Sequence, residues 1–141
     1  MRQKISVVGG AELARSLSER DYADVVEVNG DEDVAGSSVV VLAEPGDRLF
    51  GAIRDRAPNA VVVVAGHSPS AVCEATLFPR ARIIGTEDAD AAADVVDSVV
   101  LDRGRVMTCV VRCEGEHGIE GEFAAVPVRV GAGGVREIVE D

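Results

Sequence analysis

Uninterrupted apolar runs rich in valine are the feature that most constrains the fold of this chain. Ser38–Ala43 and Ala60–Ala65 are continuous runs, and Lys4–Val8 is a shorter β-branched run that stops at a pair of glycines. A strand that is apolar on both faces must be covered on both faces, as happens in a parallel sheet between two layers of helices. The runs therefore predict an α/β fold.

Helical patterns separate these runs. Ala11–Arg20 carries Leu13 and Leu17 at a spacing of four, and Asp47–Arg56 begins with Asp47 as its expected N-cap. The remaining predicted elements are strands at Asp24–Val28 and Arg82–Gly85 and helices at Ser68–Leu77 and Asp88–Leu101. Because strands alternate with helices, we expect a parallel sheet with crossover helices on both faces.

The pattern changes after residue 104. Arg105–Cys113 and Glu122–Val130 are long strand candidates joined by a glycine-rich connection, which predicts an antiparallel β-hairpin. A turn at Gly131–Gly134 and a short helix at Val135–Glu140 are expected to follow. We therefore divide the chain into a region 1–104 and a region 105–141, whose hairpin and short helix must pack on the same core or on that of a partner.

The charge of the chain excludes several classes of partner. Its 141 residues include 25 acidic and 14 basic side chains, a formal net charge of -11, and Lys4 is its one lysine. Such a surface repels nucleic-acid phosphates and anionic lipid, so we expect no nucleic-acid and no membrane partner. The excess of acid is typical of a halophile's cytoplasm, although an ordinary acidic bacterial protein would also fit.

The cysteines and the N-terminus favour a reduced, cytoplasmic protein. Cys73, Cys109 and Cys113 do not form the pattern of a disulfide framework. Cys109 and Cys113 would lie about 13 Å apart on one strand, too far to share a metal ion. No secretory signal is expected at Met1–Lys4, and the longest apolar run, Ala60–Ala65, is too short to span a bilayer.

Three stretches of the chain resemble the malate/lactate dehydrogenases. Lys4–Gly9 is similar to the family's first strand and glycine turn, and Val34–Leu42 with Ala57–Val64 is similar to its "AGSDVVVI" and "PNAIVLVVTNP" segments. The most specific likeness runs from Arg105 to Ile138 and follows the family's C-terminal hairpin. The resemblance implies a Rossmann-like parallel sheet with helices on both faces, plus a C-terminal antiparallel β-hairpin.

The departures from the family concern its chemistry. Family members are roughly twice as long. The resemblance implies that the segment with a substrate-binding Arg, an acidic residue and the catalytic His should fall between Gly85 and Asp88, where the chain has two residues. We therefore assign no catalytic residue, with His67 as the one candidate for any surviving chemistry.

The candidate phosphate turn is degenerate. A dinucleotide turn uses three glycines, for the bend, for the approach of the pyrophosphate and for packing. Gly9 keeps the first role, whereas Ala11 and Ala14 stand at the other two, and Glu12 supplies a negative charge at the helix N-terminus. A plain strand–turn–helix junction is the favoured interpretation.

Other candidate positions each have a structural alternative. Asp24–Val28 corresponds to either the second or the third strand of the family. In both cases Asn29 stands where the resemblance implies a ribose-binding acid, and the alternative is that Asn29 is a turn residue. His67 lies at the end of a strand, where ligand sites gather, and Ser68 replaces the family's substrate-orienting Asn. Arg48 is either a remnant of a substrate Arg or a surface residue, and His117 replaces a family Tyr and receives no catalytic role.

These observations lead to two functional hypotheses. The first is a non-catalytic dehydrogenase-like binding, regulatory or oligomerisation module without a cofactor, which forms a homodimer or pairs with a full-length relative. The second is a minimal oxidoreductase or metabolite binder that would hold NAD or NADP near Gly9, Gly10, Asn29 and His67. A third possibility is a decaying or engineered truncation that is kept only as a stable fold. The strand, helix and turn patterns argue against random decay, because they all agree with one fold.

Overall fold

The computed structural model of the chain describes residues 3–140, so that Met1, Arg2 and Asp141 lie outside the described residues. Its strands are β1 Lys4–Val8, β2 Asp24–Glu27, β3 Val39–Leu42, β4 Val61–Ala65, β5 Ile83–Thr86, β6 Arg105–Glu114, β7 Glu120–Gly131 and β8 Gly134–Ile138. Its α-helices are α1 Ala11–Glu19, α2 Phe50–Arg56, α3 Ser70–Thr76 and α4 Ala89–Val100. Short 3-10 turns occupy Asp31–Val34, Asp47–Leu49, Arg80–Arg82 and Glu116–Gly118.

All eight strands form one sheet in the order β2-β1-β3-β4-β5-β6-β7-β8. The first five strands are parallel, and the last three run antiparallel. In the Rossmann order 3-2-1-4-5-6, the second strand lies beside the first, and the third lies outside it. Because β2 pairs with β1 and forms the edge of the sheet, it takes the place of the second strand. The predicted Rossmann-like fold with an antiparallel C-terminal extension is confirmed.

Helices cover both faces of the parallel strands, as their apolar composition predicts. On one face, Leu13 and Leu17 of α1 and Val96 of α4 are buried against the sheet. On the other face, Ile53 of α2 and Val72 of α3 are buried in a second core. Full burial of each such side chain stabilises the fold by about 1.5–3 kcal/mol. The two cores therefore fix the position of the strand ends, from which the loops of the candidate site leave.

The C-terminal hairpin joins the parallel strands at Gly85, which pairs with Val110. A β-carbon on Gly85 would lie 3.0 Å from Val110 Cβ and 3.1 Å from Val110 O, so glycine permits this close crossing. Val126 and Val128 of the hairpin lie in the same core as α1 and α4, and Ser98 Oγ donates a hydrogen bond of 2.7 Å to Val130 O. The chain's own helix α4 therefore covers the hairpin face that the sequence left without a partner.

Two local predictions are wrong. The segment expected to form a terminal helix, Val135–Glu140, lies largely in strand β8, which pairs with β7 through Arg129 and Glu137. Asp47 is not a side-chain N-cap, because residues 47–49 form a 3-10 turn before α2 begins at Phe50. In both places the neighbouring chain decides the local structure: β7 offers an open edge to β8, and Gly46, at φ 60°, sets the entry to the turn.

The described residues contain no helix long and apolar enough to cross a membrane. Within residues 3–140, no three His, Cys, Asp or Glu side chains are grouped in a way that could hold a metal ion. The three cysteines are free thiols, and burial raises the pKa of Cys109 to about 11.

Candidate functional site

The candidate site lies where the parallel strands β1, β3 and β4 end. Three loops leave these carboxyl ends: the Gly9–Gly10 turn, the segment 43–46 and the segment 66–68. In open α/β sheets, ligands bind at this edge, beside the strand at which the order of the sheet reverses. Here that strand is β1, which lies between β2 and β3.

The side chain of Glu44 lies against the Gly9 turn. A β-carbon built on Gly9 would lie 2.4 Å from Glu44 Cδ and 2.7 Å from Glu44 Oε2, and one on Gly10 would lie 2.9 Å from Ala43 Cβ. Gly9 also has a φ of 83°, which favours glycine. The two glycines are therefore required for the bend and for close packing against the segment that leaves β3.

The charges around this turn are negative. Glu44 lies over Gly9, and Glu12 occupies the first turn of α1, where the helix N-terminus attracts an anion. Ala11 and Ala14 line a groove of about 420 Å³ between α1 and β2, which also contains Glu27. Glu44 and Glu12 place carboxylates at the turn, where the pyrophosphate of a dinucleotide requires donors and cations, so the turn itself does not fit that group. Arg15 also lines the groove, and Glu27 ends β2, where a Rossmann fold carries its ribose-binding acid.

Sequence reasoning did not identify Glu44. The available signal was its position, two residues after the apolar strand β3 and next to the point where the strand order reverses. Its contact with Gly9 depends on the path of the 43–46 loop, which no local pattern specifies.

Asn29 lies in the turn after β2. Its backbone N–H donates to Asp33 Oδ2 over 2.8 Å, and the N–H of Gly30 donates to the same oxygen over 3.0 Å. These two hydrogen bonds lower the pKa of Asp33. Asn29 therefore lies in a turn, and the carboxylate of Asp33 closes that turn.

His67 follows β4 and lines a cavity of about 160 Å³ between α2 and α3. Its Nε2 is buried and has no hydrogen-bond partner among residues 3–140. Ser68 is exposed, and its Oγ lies 3.0 Å from Ser70 Oγ. Arg48 is also exposed, in the 3-10 turn before α2.

The second histidine lies in a different part of the fold. His117 is in the β6–β7 connection, where its Nε2 lies 2.8 Å from Val139 O and its backbone N–H donates to Glu140. These contacts hold the segment after β8, so the structure gives His117 a structural role and does not pair it with His67.

The comparisons with known proteins agree with this architecture. The malate dehydrogenase of Salinibacter ruber is 42% identical over 50 residues, which are 36% of this chain and 16% of that protein. The malate dehydrogenase of Thermomicrobium roseum is 40% identical over 63 residues, which are 42% of this chain and 20% of that protein. The chain thus matches about a sixth to a fifth of the length of these relatives. No protein-family model matches the chain.

Solved structures extend the likeness to the whole fold. A lactate dehydrogenase from Cryptosporidium parvum, in complex with lactic acid and nicotinamide adenine dinucleotide, superposes with a TM-score of 0.88 at 14% identity, covering 100% of this chain and 90% of that chain. A malate dehydrogenase from Aeropyrum pernix superposes with a TM-score of 0.80 at 16% identity, covering 97% and 90%. The chain is therefore related to the malate/lactate dehydrogenases, in sequence over about a third of its length and in fold over nearly all of it.

Proposed function

We propose that this chain is a non-catalytic relative of the malate/lactate dehydrogenases that acts as a binding or regulatory module. The observation that carries the proposal is the contact between Glu44 and Gly9. In a nucleotide-binding Rossmann turn, the space over the first glycines receives a phosphate. Here a carboxylate lies in that space, so the turn is occupied by the protein's own anion.

The connection between β5 and α4 supports the same proposal. Only Glu87 and Asp88 lie between Thr86, the last residue of β5, and Ala89, the first residue of α4. The resemblance places the family's substrate Arg and catalytic His in a long segment at this position. Two acidic residues supply neither a cation to hold a hydroxy acid nor the imidazole that the resemblance implies as the proton carrier.

Isothermal titration with NAD, NADH and NADP tests the proposal. We expect no saturable heat and no turnover of malate or lactate. Sub-millimolar binding together with turnover would show that the minimal oxidoreductase, the competing hypothesis, is correct.

A variant at Glu44 tests the reason for the absence of binding. Glu44→Ala removes the carboxylate from the turn, and we expect it to gain measurable, weak affinity for pyrophosphate. Glu74→Ala changes the net charge equally on the exposed side of α3 and serves as the matched control. Equal affinities of the two variants for pyrophosphate would show that Glu44 does not block the turn.

We further propose that the module acts by association, with a second copy or with a full-length relative. Strand β2 supports this, because it lies at the edge of the sheet, and an edge can pair with a strand of another molecule. Two copies with a net charge of -11 each repel one another, and salt screens that repulsion. Sedimentation analysis should therefore show a dimer fraction that rises with salt; a monomer at every concentration and ionic strength would contradict self-association.

A further inference from the structure

Asn29 and Gly30 form an asparagine–glycine pair in the turn that leaves strand β2. Asn29 is exposed, and Gly30 has no β-carbon to shield the main-chain nitrogen between the two residues. Asparagine is a thermolabile residue, because the main-chain nitrogen that follows it can attack the carbonyl carbon of its side chain. The residue types of this turn therefore favour a spontaneous covalent change at Asn29.

The covalent change requires water as its co-reactant. The nitrogen of Gly30 loses its proton to a base in the solvent and bonds to Cγ of Asn29, and the bond from Cγ to Nδ2 breaks as ammonia leaves. Water then opens the cyclic imide. Where the new bond to Cγ breaks, residue 29 becomes aspartate; where the bond to its main-chain carbonyl carbon breaks, it becomes isoaspartate.

The carboxylate of Asp33 opposes the first step of this reaction. Its Oδ2 accepts the N–H of Gly30 over 3.0 Å and the N–H of Asn29 over 2.8 Å. The attacking nitrogen must lose the proton that it donates here, and the resulting anion would lie beside a negative charge, which disfavours it. The two N–H groups flank the α-carbon of Asn29, so rotation of the main chain toward the side chain would break at least one of the two bonds.

The position of Asp33 is fixed by the core and by the turn. Its own N–H donates to Gly30 O over 3.1 Å, and its carbonyl oxygen accepts a hydrogen bond of 3.2 Å from the hydroxyl of Ser6, which is fully buried in β1. The next residue, Val34, is also fully buried. The fold itself therefore holds the main chain of Asp33 in a place from which its carboxylate reaches both N–H groups.

We infer that Asn29 is a latent deamidation site and that the carboxylate of Asp33 protects it in the folded protein. Conversion would add one negative charge to a chain whose net charge is -11. Isoaspartate would also lengthen the main chain between the edge strand β2 and the 3-10 turn Asp31–Val34. The inference does not depend on the binding or regulatory role proposed above, and its failure would leave that role unchanged.

Incubation at mildly alkaline pH, followed by peptide mapping with mass spectrometry, tests the inference. Asp33→Ala removes the acceptor, and we expect Asn29 to convert about fivefold or more faster than in the wild type. Asp31→Ala changes the net charge equally in the same 3-10 turn and should convert at the wild-type rate. An unchanged rate in Asp33→Ala, or an equal acceleration in the two variants, would overturn the inference.

The wild type supplies a second measurement that needs no variant. In urea at the same pH the contacts of Asp33 are lost, so Asn29 should convert about fivefold or more faster than in the folded protein. Equal rates in the two conditions would overturn the inference.

The other asparagine of the chain is an internal control. Asn59 is exposed and precedes Ala60, whose β-carbon hinders attack by the main-chain nitrogen. In the wild type and in both variants without urea, Asn59 should convert slowly and at one rate. If Asp33→Ala accelerated Asn59 as much as Asn29, the protection would not be specific to Asp33, and the inference would be wrong.

Discussion

At the scale of single residues, the glycines of the Gly9 turn have a structural explanation that requires no nucleotide. Gly9 is needed here because its φ is 83°, and Gly10 because a β-carbon there would lie 2.9 Å from Ala43 Cβ. The same residue type would be needed if a phosphate lay in that place. What distinguishes the two cases is the sign of the charge over the turn, which is set by Glu44 and Glu12.

Tyr22 joins the α1–β2 turn to helix α4. Its hydroxyl donates a hydrogen bond to Asp97, and Arg20 forms an ion pair with the same carboxylate at 2.6 Å. We expect Tyr22→Phe to lower the free energy of unfolding by about 1 kcal/mol near neutral pH, because a partly buried hydrogen bond is lost. Denaturant titration measures this difference.

The pH dependence of the same variant gives a second check on Tyr22. Burial, and then the hydrogen bond to Asp97, raise the pKa of Tyr22 above its ordinary value of about 10. As the pH rises above about 10, the phenol ionises in the unfolded chain before it does in the folded one, so the wild type loses stability. Tyr22→Phe lacks this loss, and Tyr22 is the one tyrosine of the chain, so the difference between the two proteins should shrink at alkaline pH. A constant difference would contradict this account of Tyr22.

Glu116 ties the hairpin connection to the turn before β5. Arg80 donates to both of its carboxylate oxygens, at 3.0 and 2.9 Å, and these bonds lower the pKa of Glu116 to about 2. The folded state therefore holds the ionised form more strongly than the unfolded state, whose value is near 4.5. The resulting stability is present above about pH 4.5 and is lost as the pH falls toward 2.

Glu116→Gln should therefore flatten the acid limb of the stability curve between pH 5 and 2. Urea titrations across this range measure the slope, and Glu120→Gln, an exposed neighbour in sequence, is the matched control. An acid limb as steep in Glu116→Gln as in the wild type would rule out this role for the Arg80–Glu116 pair.

At the scale of elements, strand β8 shows how tertiary pairing overrides a local pattern. The sequence of Val135–Glu140 predicts a short helix, yet the strand Gly134–Ile138 pairs with β7. The strand begins at Gly134, whose φ of 102° leaves no place for a side chain: a β-carbon there would lie 2.1 Å from Ala81 O. This close approach lets β8 pack beside the Arg80–Arg82 turn.

Gly134→Ala should be strongly destabilising. The left-handed backbone alone costs about 1–3 kcal/mol for a residue with a side chain, and the clash with the carbonyl of Ala81 adds to that cost. Gly133→Ala, one residue earlier, meets no atom within 4 Å and should change the stability by less than about 0.5 kcal/mol. Thermal unfolding of the two variants measures the contrast; equal melting temperatures would contradict the packing described for Gly134.

Most elements could be predicted from the sequence, because their apolar residues indicate which positions are buried. The runs that became β3 and β4 are buried at every position, and the spacing of Leu13 and Leu17 placed one face of α1 in the core. Glu44 could not be identified, because its role depends on a contact between two loops. The cavity beside His67 was also beyond prediction, since it arises from the packing of α2 and α3 against strand ends.

At the scale of the whole molecule, the two predicted regions share one sheet and one core. Val126 and Val128 of the hairpin lie in the core that also contains Ile5 and Leu17. A boundary at residue 104 would thus cut through a continuous hydrophobic core. We expect residues 1–104 and 105–141 to unfold together in a single transition.

Labelling of Cys109 measures this cooperativity. The thiol is 2% exposed, and burial raises its pKa to about 11, so the folded hairpin protects it from thiol reagents. Cys73 is half-buried and should react first. The labelling of Cys109 in denaturant should follow the unfolding of the parallel strands, whereas labelling well before that transition would show that the hairpin opens on its own.

The central proposal is that the first turn of this Rossmann-like fold does not accept a dinucleotide. The backbone amide resonances of Gly9 and Gly10 report on that turn directly, since these amides would face a bound pyrophosphate. In a titration of the ¹⁵N-labelled protein with NADH, we predict that neither resonance shifts in a saturable way. A saturable shift of both amides at sub-millimolar NADH would contradict the claim.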